Sequence, residues 1–197
     1  MTLPRRLAST TRATALLAIA MAATACTADT AEWDVLVRHG TVIDGSGQPG
    51  FLADVALEGD RIAVISTDPL DPSRAERVID ATGRVVAPGF VDIHTHLDPL
   101  MRLPDAESHA RQGVTFALGG PDGSSPWPLD EYMAELDQLG VGINVGYTVG
   151  HNTVRRNVMG LDDRAPAASE LEEMRAMIAQ GMDEGAWGIS TGLKYLP

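Results

Sequence analysis

The chain has 197 residues, 44% of them hydrophobic and 5% aromatic, with one cysteine and a formal net charge of −12. The length allows one or two domains and the apolar share suffices for a packed core. The acidic balance argues against nucleic acid as a partner, because phosphate binding needs a basic surface, and it reads as solubility instead.

Residues 1–26 read as a targeting segment. Arg5 and Arg6 open it, no acid occurs before residue 26, and residues 13–23 are small and apolar, with Leu16, Leu17, Ile19 and Met21. That run falls short of the roughly 20 residues a membrane-spanning helix needs, but it suits the apolar region of a signal peptide. It ends in Ala23-Thr24-Ala25-Cys26, which resembles a bacterial lipoprotein cleavage site with Cys26 lipidated; an ordinary signal peptide cut nearby is the alternative. As the only cysteine, Cys26 has no disulfide partner within the chain, so lipidation is its more economical role. The expectation is an exported protein, periplasmic or anchored to a bacterial membrane through that lipid alone. Residues 27–32 read as a tether.

Short strands follow at 33–38, 41–44, 53–57, 61–66, 78–80 and 84–87, separated by the turn-rich Gly45-Ser46-Gly47-Gln48-Pro49-Gly50 and the hairpin signal Glu58-Gly59-Asp60. They predict a small antiparallel β-domain over 33–87. His39, beside Gly40, reads as a solvated turn residue.

From residue 88 the pattern changes to alternating strand and helix, as in parallel α/β units. Strands are expected at about 89–95, 114–118, 142–149 and 186–190. Helices are expected near 105–112 and 128–139. A third follows a capping box of Ser169 and Glu172, with Leu171, Met174, Ile178 and Met182 at helical spacing. Gly113, Gly140 and Gly185 end the three helices.

Polar residues stand where the strands end. Along a strand, His94 and His96 share a face and form half of a divalent-metal site; Asp92 and Asp98 share their parity, and Asp92 could orient a histidine from behind. After the second strand, Asp122 offers a carboxylate within Pro121-Asp122-Gly123, which is also a turn signal. After the third, His151 and Asn152 can hydrogen-bond a substrate. Arg155 can hold a carboxylate bidentately, or belong with Arg156 to a solvated loop. His109 reads as a surface residue of the first helix, and Lys194 follows the fourth strand.

Pro88-Gly89-Phe90-Val91-Asp92-Ile93-His94-Thr95-His96 resembles the first barrel strand of the amidohydrolase superfamily. Three later stretches together resemble its D-aminoacylase (N-acyl-D-amino-acid deacylase) branch: Gln112-Gly113-Val114-Thr115, Gly150-His151-Asn152-Thr153-Val154-Arg155, and Gly185-Ala186-Trp187-Gly188-Ile189-Ser190-Thr191-Gly192-Leu193. The resemblance runs from about Trp33 to the last residue. It implies an α/β fold, with the first half of a metal-dependent (β/α)8 TIM barrel at 88–197 after a small antiparallel β-sandwich domain at 33–87. A C-terminal segment would complete that β-domain. A full barrel takes roughly 250 residues, so the chain reads as an N-terminal fragment.

The resemblance also implies roles. The site would lie at the C-terminal ends of the strands and hold one or two Zn²⁺ ions through His94 and His96. Asp122 falls where many D-aminoacylases have a metal-binding cysteine, a departure toward a harder ligand. Lys194 is a candidate for the carboxylated lysine that bridges two metals in several amidohydrolases, or is an ordinary lysine facing substrate or solvent. The stretch with His151, Asn152 and Arg155 would line the substrate pocket. Two more histidines and a general-base aspartate would come from beyond residue 197. The implied reaction is metal-dependent hydrolysis of the amide bond of a small N-acyl-D-amino acid. Two other readings stay open: another amidohydrolase, such as a dipeptidase or cyclic-amide hydrolase, and a non-catalytic binding lipoprotein on the same fold.

Overall fold

The computed structural model describes residues 31–196. The targeting segment and Cys26 lie outside the described residues. The chain divides into two units: one joins the chain up to His39 to Ala53–Thr82, and the other joins Gly40–Leu52 to the chain from Gly83 onward.

In the first unit four strands lie in the order β3-β2-β1-β4, with β1 at Trp33–Val42, β2 at Phe51–Glu58, β3 at Arg61–Ser66 and β4 at Ala75–Asp80. The β2–β3 pair is an antiparallel hairpin turned at Gly59, whose φ of +57° suits a residue without a Cβ. β4 instead runs parallel to β1, with Trp33 opposite Ala75 and Arg38 opposite Asp80. The sheet is therefore mixed, not antiparallel as expected. The hairpin and the short helical turn Pro72–Arg74 serve as the crossover that a parallel return requires.

β1 is also continuous where two strands were expected. His39 takes a positive φ of 62°, but its backbone N–H donates to Asp54 Oδ1 at 2.9 Å. The irregularity is thus satisfied inside the strand and does not end it. The core of this unit is Trp33, Leu36 and Ala56, with Val64, Leu70 and Ala75 packed around them.

The second unit is α/β, as expected. Three parallel strands, β6 (Phe90–Asp92), β7 (Val114–Gly119) and β8 (Asn144–Tyr147), lie in that order. β9 (Val149–Gly150) pairs in parallel with β10 (Ile189–Ser190), and a short β5 (Val85–Val86) pairs with Thr41 and Val42. The helices are α1 (Glu107–Ala110), α2 (Leu129–Leu139), α3 (His151–Met159) and α4 (Ala168–Asp183). Leu136, Val149 and Val154 are fully buried in the core, each contributing roughly 1.5–3 kcal/mol of apolar burial. Among the described residues, no helix is long and apolar enough to cross a membrane.

Several boundaries differ from expectation for identifiable reasons. The strand expected over 142–149 is broken at Thr148, whose N–H donates to Gly119 O at 3.1 Å and whose hydroxyl donates to Gly120 O at 2.5 Å. α4 starts at Ala168, before the Ser169–Glu172 box. Glu170 Oε2 accepts from the Ala167 N–H at 2.7 Å, and alanine can supply only the backbone half of such a box. α3 is a helix where a loop was expected. Its first N–H groups find a tertiary acceptor: Asn152 and Thr153 both donate to Gly123 O, at 2.8 and 3.1 Å. No capping side chain in the sequence announces it.

Candidate metal centre

β6 ends at Asp92, so His94 and His96 lie in the bend beyond it and not on the strand itself. Asp92 causes the break: its Oδ1 accepts from the His94 N–H at 3.1 Å, an Asx turn that closes the strand. Asp92, expected to orient a ligating histidine, thus contacts the His94 backbone and not an imidazole. Thr95, between the histidines, has other partners. Its N–H donates to Leu118 O at 3.3 Å, and its hydroxyl lies 3.3 Å from His109 Nε2. His109, expected as a surface residue, is half-buried and buttresses this bend.

The two imidazoles converge on Asp122. Its Oδ2 lies 3.7 Å from His94 Nε2 and 3.4 Å from His96 Nε2, and one ligand atom from each of the three residues falls within 4.8 Å of the others. Zn–N and Zn–O bonds of about 2.0–2.2 Å in tetrahedral geometry place ligand atoms roughly 3.3–3.6 Å apart. The two separations to Asp122 therefore suit a divalent ion almost as they stand, and the one between the imidazoles would have to close by as much as about 1.2 Å. As ion pairs alone they would contribute little, because both histidine side chains are about two-thirds exposed (64% and 63%). Asp98 Oδ2 lies 3.9 Å from His96 Nδ1.

Asp122 is presented by a backbone clamp. It adopts a left-handed φ of 57°, which aspartate tolerates, between Gly120 at 76° and Gly123 at 84°. The Gly123 N–H donates to Ser190 Oγ at 3.0 Å, and that hydroxyl donates to Gly120 O at 2.5 Å. The Gly123 carbonyl takes the two N–H groups that open α3. A Cβ built on Gly123 would lie 2.5 Å from Asn152 Oδ1, so the loops meet too closely for any other residue there. The start of α3 and Ser190 of β10 thus fix the loop after β7 that carries this carboxylate. Ser190 and Gly123 gave no sign of this in sequence, where they read as strand and turn residues.

The other candidates separate. Asn152 is buried, and its Nδ2 donates to Gly192 O at 3.2 Å; it ties loops together and does not offer its amide to a substrate. Arg155 does not project as a carboxylate clamp. Its Nη2 donates to Asp162 O at 2.7 Å and Arg164 O at 2.9 Å, closing the chain after α3. His151 Nδ1 is buried without a hydrogen-bond partner among the described residues. Lys194 sits in the exposed turn after β10, and the three-residue cluster forms without it.

Two imidazoles and a carboxylate, carried on loops at the C-terminal ends of neighbouring parallel strands, form a candidate divalent-metal site on an α/β fold. The chain belongs to the amidohydrolase family, whose sequence pattern matches residues 77–196. It is 38% identical over 193 residues to the D-aminoacylase of Alcaligenes xylosoxydans xylosoxydans, covering 86% of this chain and 40% of that protein. It is 36% identical over 187 residues to the N-acyl-D-glutamate deacylase of the same organism, covering 83% and 38%. Among solved structures it resembles the N-acyl-D-glutamate deacylase of Bordetella bronchiseptica, complexed with zinc and a phosphonate mimic of the tetrahedral intermediate. There the TM-score is 0.79 at 34% identity, covering 84% of this chain and 40% of that one. The chain thus spans about two-fifths of the length of the relatives it matches.

Proposed function

We propose that the protein is a metal-dependent amidohydrolase that cleaves the amide bond of N-acyl-D-amino acids, using one or two zinc ions. The observation that carries this reading is the convergence of His94, His96 and Asp122, in a chain similar over more than four-fifths of its length to D-aminoacylase and N-acyl-D-glutamate deacylase. The Bordetella relative was solved with zinc. In the same reading, the parallel strands of the second unit are the first four of a (β/α)8 barrel, and the 33–87 sheet is part of a β-sandwich domain. A general-base aspartate would come from beyond residue 197.

His94 and His96 would hold the ion through Nε2 and Asp122 through Oδ2. Asp98, whose Oδ2 lies 3.9 Å from His96 Nδ1, would accept that N–H after closing to hydrogen-bond distance, fixing the tautomer that leaves Nε2 as the donor. When bound, the ion supplies Lewis acidity and brings the pKa of a coordinated water to about 7. His151, whose buried Nδ1 has no hydrogen-bond partner among the described residues, is read as a substrate-pocket residue on the family resemblance. Residues 1–26 are read as an export signal ending in lipidated Cys26, and Cys26→Ser should release the protein from membranes.

The test is metal analysis of the intact protein together with a panel of N-acyl-D- and N-acyl-L-amino acids. Bound zinc and turnover restricted to D-substrates are expected. A metal-free protein, or one that turns over only dipeptides or cyclic amides, would overturn the reading.

A further inference from the structure

Two clefts open beside His96. One, of about 420 Å³, follows the chain from His96 to His109 and is lined by Asp105, Glu107 and His109 besides apolar groups. The other, of about 370 Å³, lies between the His96 bend and the loop that carries Asp122, so both metal-donor segments border it. Its apolar lining comes from Leu97, Met101, Pro126, Tyr132 and Tyr147. Leu97 and Tyr147 are nearly inaccessible, at 3% and 4% exposed, and form its floor. The two tyrosines pair through their hydroxyls. Tyr147 Oη donates to Tyr132 Oη at 3.3 Å, with the rings edge-to-face at 5.3 Å, so Tyr147 has spent its donor, and the tyrosines offer a ligand mainly ring surface plus the one O–H of Tyr132. Burial first, and then the Tyr132 hydroxyl, push the Tyr147 phenol well above its ordinary range, so it stays neutral. The charged side chain of this lining is Asp98, and neither lysine nor arginine belongs to it.

We propose that this second cleft receives the acyl chain of the substrate and selects for extended, uncharged acyl groups. The proposal rests on the deacylase reading above. From the scissile carbonyl an N-acyl amino acid extends in two directions. The amino-acid arm always carries an α-carboxylate, which needs a cationic partner and is repelled by Asp98. The acyl arm carries no charge and gains from every methylene it buries. A cleft of about 370 Å³ is within the size range of small-molecule pockets, enough for a chain of several carbons. Met101, half-buried, is an adaptable wall for such a chain.

The experiment uses the intact, metal-loaded protein and N-acetyl-, N-butanoyl- and N-hexanoyl-D-leucine. At about 0.8 kcal/mol per buried methylene, kcat/KM should rise roughly fourfold per methylene along the series. Inhibition by the free acids acetate, butanoate and hexanoate should strengthen in the same order. Met101→Phe, which narrows the cleft, should lower the hexanoyl-to-acetyl ratio by about tenfold or more. Met101→Ala, which widens it, should raise the ratio for octanoyl over hexanoyl. A ratio that stays flat with acyl length but shifts when leucine is exchanged for alanine or phenylalanine would place the amino-acid arm in the cleft and overturn the proposal. Failure to hydrolyse any member would overturn the deacylase reading, and the acyl cleft with it.

Discussion

Asp54 in the first unit and Asp122 in the second are both aspartates held by backbone, but they are used in opposite ways. Asp54 is 4% exposed and accepts three hydrogen bonds, from Arg38 Nε at 3.3 Å and the backbone N–H groups of His39 at 2.9 Å and Leu70 at 3.0 Å. Burial pushes its pKa up, but the Leu70, His39 and Arg38 donors outweigh burial and hold the carboxyl below its ordinary value of 3.8. Its acceptor capacity is spent on closing the sheet. Asp122 has its backbone fixed by neighbouring segments, but its carboxylate faces two imidazoles and remains one-third exposed. A satisfied carboxylate stabilises a fold, whereas one held in place without donors is available to a cation.

The largest effects should follow from removing the open donors. In the intact protein, His94→Ala, His96→Ala or Asp122→Ala should each lower metal affinity by more than the roughly 10–100-fold typical of outer-sphere partners and abolish nearly all turnover. Metal content after dialysis and kcat/KM measure both. Full zinc occupancy in the His94→Ala/His96→Ala double variant would remove these residues from the site. Ser190→Ala should come next. It deletes the acceptor of the Gly123 N–H and the donor to Gly120 O, freeing the loop that presents Asp122. A loss of about 10–100-fold in metal affinity is expected, with recovery in Ser190→Thr, which restores the hydroxyl.

The comparison sharpens when stability is measured on metal-free protein. Asp54→Ala strands two part-buried backbone donors and a guanidinium, and should destabilise the first unit by about 1–3 kcal/mol. Asp122→Asn should change metal-free stability by under about 0.5 kcal/mol, as expected for a partly exposed side chain outside the packed core. Chemical denaturation of the two variants separates these outcomes. Equal losses would show that Asp122 is a structural carboxylate after all.

Much of this was legible because it is local. The His-x-His pair, the Glu58-Gly59-Asp60 hairpin and the Gly140 that ends α2 are patterns within a few residues, and α2 begins and ends within a residue of its expected bounds. What escaped is tertiary. Arg155 looked like a carboxylate clamp, because sequence cannot show that carbonyls of Asp162 and Arg164 occupy its guanidinium. α3 was hidden because its first N–H groups are satisfied by Gly123, 29 residues before Asn152. The parallel pairing of β1 with β4 was hidden because strand composition does not encode direction. Asp122 was found by its position after a strand, but the Ser190 clamp that fixes it lies 68 positions further on.

The smallest effect concerns a carboxylate satisfied at the surface. Glu170 is paired with Arg164, its Oε2 2.7 Å from Nη1 and its Oε1 2.5 Å from Nη2, and it also accepts the Ala167 N–H at the start of α4. The Arg164 hydrogen bonds first, and then that N–H, lower its pKa from 4.5 to about 2. A folded-state pKa below the unfolded one means stability that is fully present above about pH 4.5 and disappears as pH falls through about 2. Glu170→Gln removes the ionisable group but keeps an acceptor oxygen for Ala167. It should therefore lower Tm slightly at pH 7, by less than Asp54→Ala does, because exposed pairs are screened by solvent and salt. The gap between wild type and variant should close as the pH is taken from 5 toward 2, and it should narrow in high salt at pH 7. Parallel Tm curves over the whole acid range would show that the Arg164–Glu170 pair does not act through its charge, leaving only the backbone cap at Ala167.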